Sequence, residues 1–271
     1  MGRPHVGGMD ATLPAYDSAA QARAQRERLR RSLFAWLGVV ALLILIQITT
    51  IAWPSLSEWG VVPLTARGLV GLLAAPLLHA DFGHLVSNAF GLVVLGTLLG
   101  TVYPRSASRI VLAAWVGAGA VTWLIGRPSN HLGASGLVHG LFFALFTLAL
   151  LRRDRPSVVA AMVAMMLFGG MLLTVFPHEW RISWEMHAGG ALAGAGAAFA
   201  WRRRDPPPPR RLYSWEIEEQ QAEALAEAKA IDADTFEPDR PRDVPVLWVR
   251  PERDDGRGAV LPFRRPGDPP R

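Results

Sequence analysis

Gly133-Ala134-Ser135-Gly136-Leu137-Val138-His139-Gly140 opens a run that continues through Leu141-Phe142-Phe143-Ala144-Leu145 to Leu151 and stops at Arg152-Arg153. From Ser135 onward the run holds roughly 17 residues without a formal charge, enough to cross a hydrocarbon core as a helix. Its first turns nevertheless carry a serine and a histidine set among glycines. Polar side chains inside a span are costly to bury and mark function.

Five similar runs surround this one: Leu33–Trp53, His84–Val102, Ile110–Ile125, Val158–Phe176 and Trp184–Trp201. The apolar stretch Gly68–Leu78 is too short to span and reads as interfacial or re-entrant. The expectation is an all-α membrane protein, a six-transmembrane-helix bundle over residues 33–201. Hydrophobic residues make up 51% of the 271 and the mean hydropathy is +0.21 despite long polar ends, which excludes an ordinary soluble domain. Residues 1–32 and 202–271 are rich in Arg, Asp, Glu and Pro and read as flexible tails. Asp205-Pro206-Pro207-Pro208-Pro209 marks a stiff exit, and Trp215–Asp232 has the Ala and charge content of a short helix. Protein contacts of this C-terminal tail are one reading of it. No short apolar stretch with a cleavage site precedes Leu33, so the first run is expected to be an uncleaved anchor.

The net charge of +5 comes from arginines placed beside the apolar runs, a pattern of membrane topology and not of nucleic-acid binding. Arg26, Arg28, Arg30 and Arg31 precede the first run and set the N-terminus in the cytoplasm. Six spans then return the C-terminus there, and Arg105, Arg109, Arg152, Arg153, Arg155 and Arg202–Arg204 all fall on the inner side, with Arg67, Arg127 and Arg181 outside. Trp36, Trp53, Trp123, Trp184 and Trp201 near span ends read as lipid anchors. The Arg/Ala-rich makeup fits a bacterial plasma membrane. Cysteine is absent, which removes disulfides, thiolate nucleophiles and Cys-ligated metals.

With this topology His84 and Asn88, Ser135 and His139, and His187 start three spans that run in the same direction, so they lie in one shallow layer near the outer face. A serine is a weak nucleophile until a histidine within reach takes its proton and later returns it to the leaving amine. Ser135 and His187 are the candidates for that pair. Gly133 and Gly136 let a backbone approach the serine, and Gly189, Gly190 and Gly194 permit close packing below His187. His84 and Asn88, four residues apart on one helix face, read either as interhelical hydrogen-bonders or, with the Ser135 N–H, as donors to an oxyanion. Glu185 is read as pointing elsewhere on its helix and sitting at the membrane interface. His79, His131 and His178 in the outer connections are read as solvated or interfacial, with His79 ordering the first loop, and His5 belongs to the tail.

His84-Leu85-Val86-Ser87-Asn88, Gly133-Ala134-Ser135-Gly136 and His187-Ala188-Gly189-Gly190 resemble the H-x-x-x-N, G-x-S-G and H-x-x-G motifs of the rhomboid family, in that family's order. The resemblance covers about Gly68 to Trp201, including the approach Pro76–Gly83. It implies an intramembrane serine endopeptidase that cleaves transmembrane protein substrates within or beside the bilayer, after lateral entry near the second and fifth spans, with no metal or other cofactor. It assigns the nucleophile to Ser135, the base to His187 and oxyanion stabilisation to Ser135 N–H, His84 and Asn88, with Gly133, Gly136 and Gly190 in support. Partners are then substrate proteins and membrane lipid, with the site opening toward the extracytoplasmic side. His139 stands where the family often has an aromatic against the catalytic histidine; stacking, a hydrogen bond to His187 and a structural role are its open readings. Gly71-Leu72 stand where a Trp-Arg pair is common. The rivals are a metal enzyme built on His84, His139 and His187, a non-catalytic binder of membrane proteins, and a channel. The last needs polar residues through the full thickness.

Overall fold

The computed structural model describes residues 18–177, 179–180, 182–206 and 213–234. The readings of His5, His178, Arg181 and the outermost tail segments lie outside the described residues. Among the described residues eight helices follow in order: α1 (Ser18–Ala52), α2 (Ala66–Ala74), α3 (Phe82–Val102), α4 (Ala107–Ile125), α5 (Ser135–Arg152), α6 (Arg155–Phe168), α7 (Trp184–Trp201) and α8 (Ser214–Asp234). Short 3-10 turns occupy Pro54–Trp59, Ala75–Leu77 and Gly169–Leu172. Among the described residues there is no strand beyond one isolated bridge, Val61 with His131.

Five helices among the described residues, α1, α3, α4, α5 and α6 with its following turn, are long and apolar enough to cross a membrane. Helix α7 has the 18-residue length of α5 but is built largely of Ala and Gly. The stretch read as interfacial forms α2, nine residues long. Two boundaries differ from the sequence reading. Helix α1 begins at Ser18, so residues 18–32 are helical: their Ala, Gln and Arg favour helix, and Glu27 pairs with Arg31 at 2.7 Å and Arg30 at 3.3 Å. Helix α6 ends at Phe168 and not near Phe176, because Gly169-Gly170 relax it into a 3-10 turn. The charged, Ala-rich tail segment is α8, as its composition suggested.

Helix α5 sits at the centre. Leu137, Leu141, Leu145 and Leu148 on α5 and Leu92, Leu95 and Leu99 on α3 are almost wholly buried in one core. These helices are apolar all round, so small residues decide which faces meet. A methyl group at Gly190 of α7 would collide with the Gly136 carbonyl of α5, and one at Gly194 with the Gly140 carbonyl, four residues further along both helices. On the other flank Gly189 stands against Val121 and the Ala118 carbonyl of α4. Helix α7 is thus wedged between α4 and α5. Trp36, read as a lipid anchor, instead packs on Gly96 of α3.

The far ends of α3, α5 and α7 are tied together by Asp205, which is buried. Its carboxylate accepts from Arg105 N at 2.8 Å and from Ser106 N at 3.1 Å, and its carbonyl accepts from Arg152 Nη1 at 2.7 Å. Arg152 also pairs with Asp154 at 2.8 Å, and Asp154 caps α6 through Ser157 N. With their C-terminal ends gathered here, the three helices all start at the opposite end of the bundle.

Gly194→Ala is expected to lower the thermal unfolding midpoint in detergent, with a cost of about 1–3 kcal/mol for overpacking. Gly196→Ala, where an added methyl meets nothing within 4 Å, is the control and is expected to leave the midpoint unchanged or raise it.

Candidate active site

The site begins at Gly133, whose φ of +116° lies where side chains are strained. A Cβ there would also fall 2.5 Å from Cε1 and 2.7 Å from Nε2 of the His84 ring, so glycine is needed for both conformation and space. Gly133 N donates to Ala75 O at 2.9 Å and Ala134 N to His79 Nε2 at 3.4 Å, which pins the two residues before Ser135. Ser135 is the first residue of α5, so its N–H is among those that a helix start leaves without an intrahelical acceptor.

Asp81 caps α3 by accepting from His84 N at 2.8 Å, and Ser183 caps α7 by accepting from Met186 N at 3.3 Å. These starts bring His84, Asn88, Ser135, His139 and His187 to the wall of one open cavity of about 1040 Å³. Asn88 is buried and its Nδ2 has no hydrogen-bond partner among the described residues. The ring nitrogen His187 Nδ1 lies 3.0 Å from the carbonyl of Thr174. A carbonyl only accepts, so Nδ1 carries the proton and the neutral ring keeps its lone pair on Nε2. His139 stacks on His187, centroids 3.8 Å apart and planes 13° from parallel; its Nδ1 donates to Ser135 O at 2.7 Å and its Nε2 accepts from Thr174 Oγ1 at 2.8 Å. Of the three readings of His139 the geometry selects stacking, joined by hydrogen bonds to Ser135 and Thr174 and not to His187. Among the described residues no three His, Cys, Asp or Glu side chains gather into a metal-holding set.

Several residues around this cavity were misread or missed. Glu185, read as interfacial, is fully buried: Arg127 Nε reaches its carboxylate at 2.6 Å. The same guanidinium donates to the carbonyls of Ile182 and Trp180 at 2.7 and 3.3 Å. His131, expected near solvent, is buried; its Nδ1 accepts from Ser183 Oγ at 2.7 Å and its Nε2 donates to Arg127 O at 2.9 Å. His131 also exchanges both backbone bonds with Val61, at 2.7 and 2.9 Å. The connection before α5 and the one before α7 are thereby clasped together above the cavity. His79 is likewise buried, at 1% exposure. Trp123 is no plain lipid anchor either, since its Nε1 donates to Thr65 O at 2.9 Å. Where the Trp-Arg pair is absent, Gly71 and Gly68 bring α2 against the backbone of Gly60–Val62. One signal for the clasp was present: Arg127 is the only charged residue in the connection between α4 and α5, and an acidic residue, Glu185, stands at the start of α7.

Against known proteins, the family model described as Rhomboid domain matches residues 66–204, which include every residue of the cavity named above. The chain belongs to the rhomboid family. Family membership implies proteolysis within the membrane. Among relatives, an uncharacterized protein of Mycobacterium tuberculosis (strain ATCC 25618 / H37Rv) is 38% identical over 176 residues, covering 60% of this chain and 72% of that one. An uncharacterized protein of Mycobacterium leprae is 35% identical over 173 residues, covering 60% and 68%. The RHOMBOID-like protein 12, mitochondrial, of Arabidopsis thaliana is 30% identical over 160 residues, covering 49% of this chain and 45% of its own. The chain is therefore a membrane protein of the rhomboid family with bacterial relatives.

Burial, with the neighbouring His84 adding to it, pushes His79 from 6.5 down to about 4. The unfolded chain then binds a proton that the folded one refuses, so this stability is fully present above pH 6.5 and is lost as pH falls toward 4. His79→Gln, which keeps an acceptor for Ala134 N–H but does not titrate, is expected to flatten the fall of the unfolding midpoint across that window; an unaltered slope would exclude His79 as its source. Arg127→Ala leaves the Glu185 carboxylate buried without a counter-charge and is expected to cost roughly 3 kcal/mol, at the low end because the guanidinium is 40% exposed. The same unfolding assay reads it, and Arg127→Ala combined with Glu185→Gln is expected to recover most of the loss.

Proposed function

We propose that this protein is an intramembrane serine endopeptidase that cleaves transmembrane protein substrates within or beside the bilayer, with Ser135 as nucleophile and His187 as base. The observation that carries this reading is the His187 tautomer: with Nδ1–H given to a backbone carbonyl, Nε2 is the basic nitrogen, on a ring that shares its cavity with Ser135. A carbonyl here does the orienting work that a carboxylate does in a triad.

In this mechanism Ser135 Oγ attacks the scissile carbonyl carbon while His187 Nε2 takes the hydroxyl proton. The carbonyl π pair moves to oxygen, and the oxyanion receives hydrogen bonds from Ser135 N–H, His84 and Asn88 Nδ2. Collapse expels the amine, which takes the proton from His187, and leaves an acyl ester on Ser135. Water then adds to the ester with His187 as base, a second tetrahedral oxyanion forms in the same donors, and its collapse frees the carboxyl product and returns the proton to Ser135. The unpartnered Nδ2 of buried Asn88 supports the oxyanion role, because a buried donor without an acceptor is costly until one arrives. The substrate enters laterally between α3 and α6, where the rings of Phe90 and Phe168 meet with centroids 5.4 Å apart. The arginines beside the spans support a bacterial plasma-membrane location with six spans, both termini cytoplasmic and the cavity facing outward.

A fluorophosphonate probe is expected to label the wild-type protein and neither Ser135→Ala nor His187→Ala, and both variants are expected to lose cleavage of a single-span substrate with a helix-destabilised segment. Cleavage that persists in Ser135→Ala sinks the assignment. Asn88→Ala is expected to slow cleavage on the order of a hundredfold with the protein still folded.

A further inference from the structure

The connection between α6 and α7 contributes one residue that touches both stacked imidazoles. Thr174 follows the 3-10 turn Gly169–Leu172 and lines the cavity. Its carbonyl accepts from His187 Nδ1 at 3.0 Å, and its hydroxyl lies 2.8 Å from His139 Nε2. His139 Nδ1 in turn reaches the carbonyl of Ser135 at 2.7 Å, and the two rings stack at 3.8 Å. A continuous path therefore runs from the backbone of the nucleophile through His139 and Thr174 to the base.

The hydroxyl has a second partner, the Met171 carbonyl at 3.2 Å, the local bond that a threonine in a turn ordinarily makes. One proton cannot serve both. His139 has already committed its Nδ1–H to the Ser135 carbonyl, so its Nε2 needs a donor, and the shorter distance favours Thr174 as that donor. This direction locks the His139 plane, and the locked plane is the surface on which the His187 ring rests.

We propose that Thr174 is the positioning residue of the dyad: its carbonyl fixes the proton on His187 Nδ1, and its hydroxyl, acting through His139, holds the face against which His187 is oriented toward Ser135. The proposal rests on the dyad reading above. It assigns Thr174 no contact with substrate.

The full-length protein in detergent micelles is tested by fluorophosphonate labelling as a function of probe concentration, which separates the maximal labelling rate from the half-saturating concentration, with thermal unfolding in parallel. Thr174→Val, which keeps the carbonyl and the shape, is expected to lower the maximal rate on the order of ten- to a hundredfold, the scale of a misaligned reacting group. The half-saturating concentration and the unfolding midpoint are expected to stay near wild type, and Thr174→Ser to restore the rate. His139→Phe keeps a stacking ring and removes both bonds, so adding Thr174→Val to it is expected to cost nothing further. A wild-type rate in Thr174→Val, a Ser variant that fails to rescue, effects of Val and Phe that multiply, or a loss of rate matched by a collapse of the midpoint each overturn the proposal; the last assigns the hydroxyl to holding the loop. If labelling depends on Ser135 but ignores Thr174, only the positioning role falls. If the wild type takes no label, the dyad reading falls as well.

Discussion

The close approach of α5 and α7 is the constraint on which the rest of the bundle depends. Lipid tails are as apolar as the helix surfaces, so burying leucine offers little drive for one helix to choose another, and van der Waals contact between backbones has to supply it. Gly190 against the Gly136 carbonyl and Gly194 against the Gly140 carbonyl leave no room for a methyl group at either crossing. Two crossings four residues apart on both helices also set the register. Ser135 stands one residue before Gly136 and His187 three before Gly190, so the same contact that packs the helices brings these side chains to one level.

Above the packed section the connections are held by polar groups most of which are buried, where each bond is stronger and each unmade bond costs more. The Val61–His131 bridge, the Arg127–Glu185 pair and the His131–Ser183 bond join the first loop, the approach to α5 and the approach to α7. Of the buried side-chain atoms without a hydrogen-bond partner among the described residues, Asn88 Nδ2 is the one whose residue lines the cavity. A donor left without an acceptor beside the cavity fits the proposed reaction, in which negative charge develops on the substrate carbonyl.

Much of the site was legible because its chemistry needs particular residue types at particular spacings. The serine among glycines, the histidine with asparagine four residues on, and the histidine followed by paired glycines all identify themselves along the chain. Glu185 was misjudged because helix periodicity says which way a side chain leaves its own helix but not what lies there, and what lies there is Arg127. His131 and His79 were taken for surface residues because connections usually are; here the connections fold down over the helix ends and bury them. Trp123 shows the same limit, an amphipathic ring at a span end whose N–H is used by the protein itself.

The sequence by itself determined that the chain lies in a membrane as a bundle of helices, that Gly68–Leu78 is too short to span, and which polar side chains start three spans in one shallow layer. Those properties follow from apolar length, charge placement and residue type, all of which are one-dimensional. Tertiary structure decided the His187 tautomer, the stacking partner of that ring and the clasp above the cavity. The His187 tautomer hangs on the Thr174 carbonyl, and every residue has a carbonyl. Its importance comes from where the chain turns after Gly169-Gly170, a matter of packing in three dimensions that no local spacing encodes.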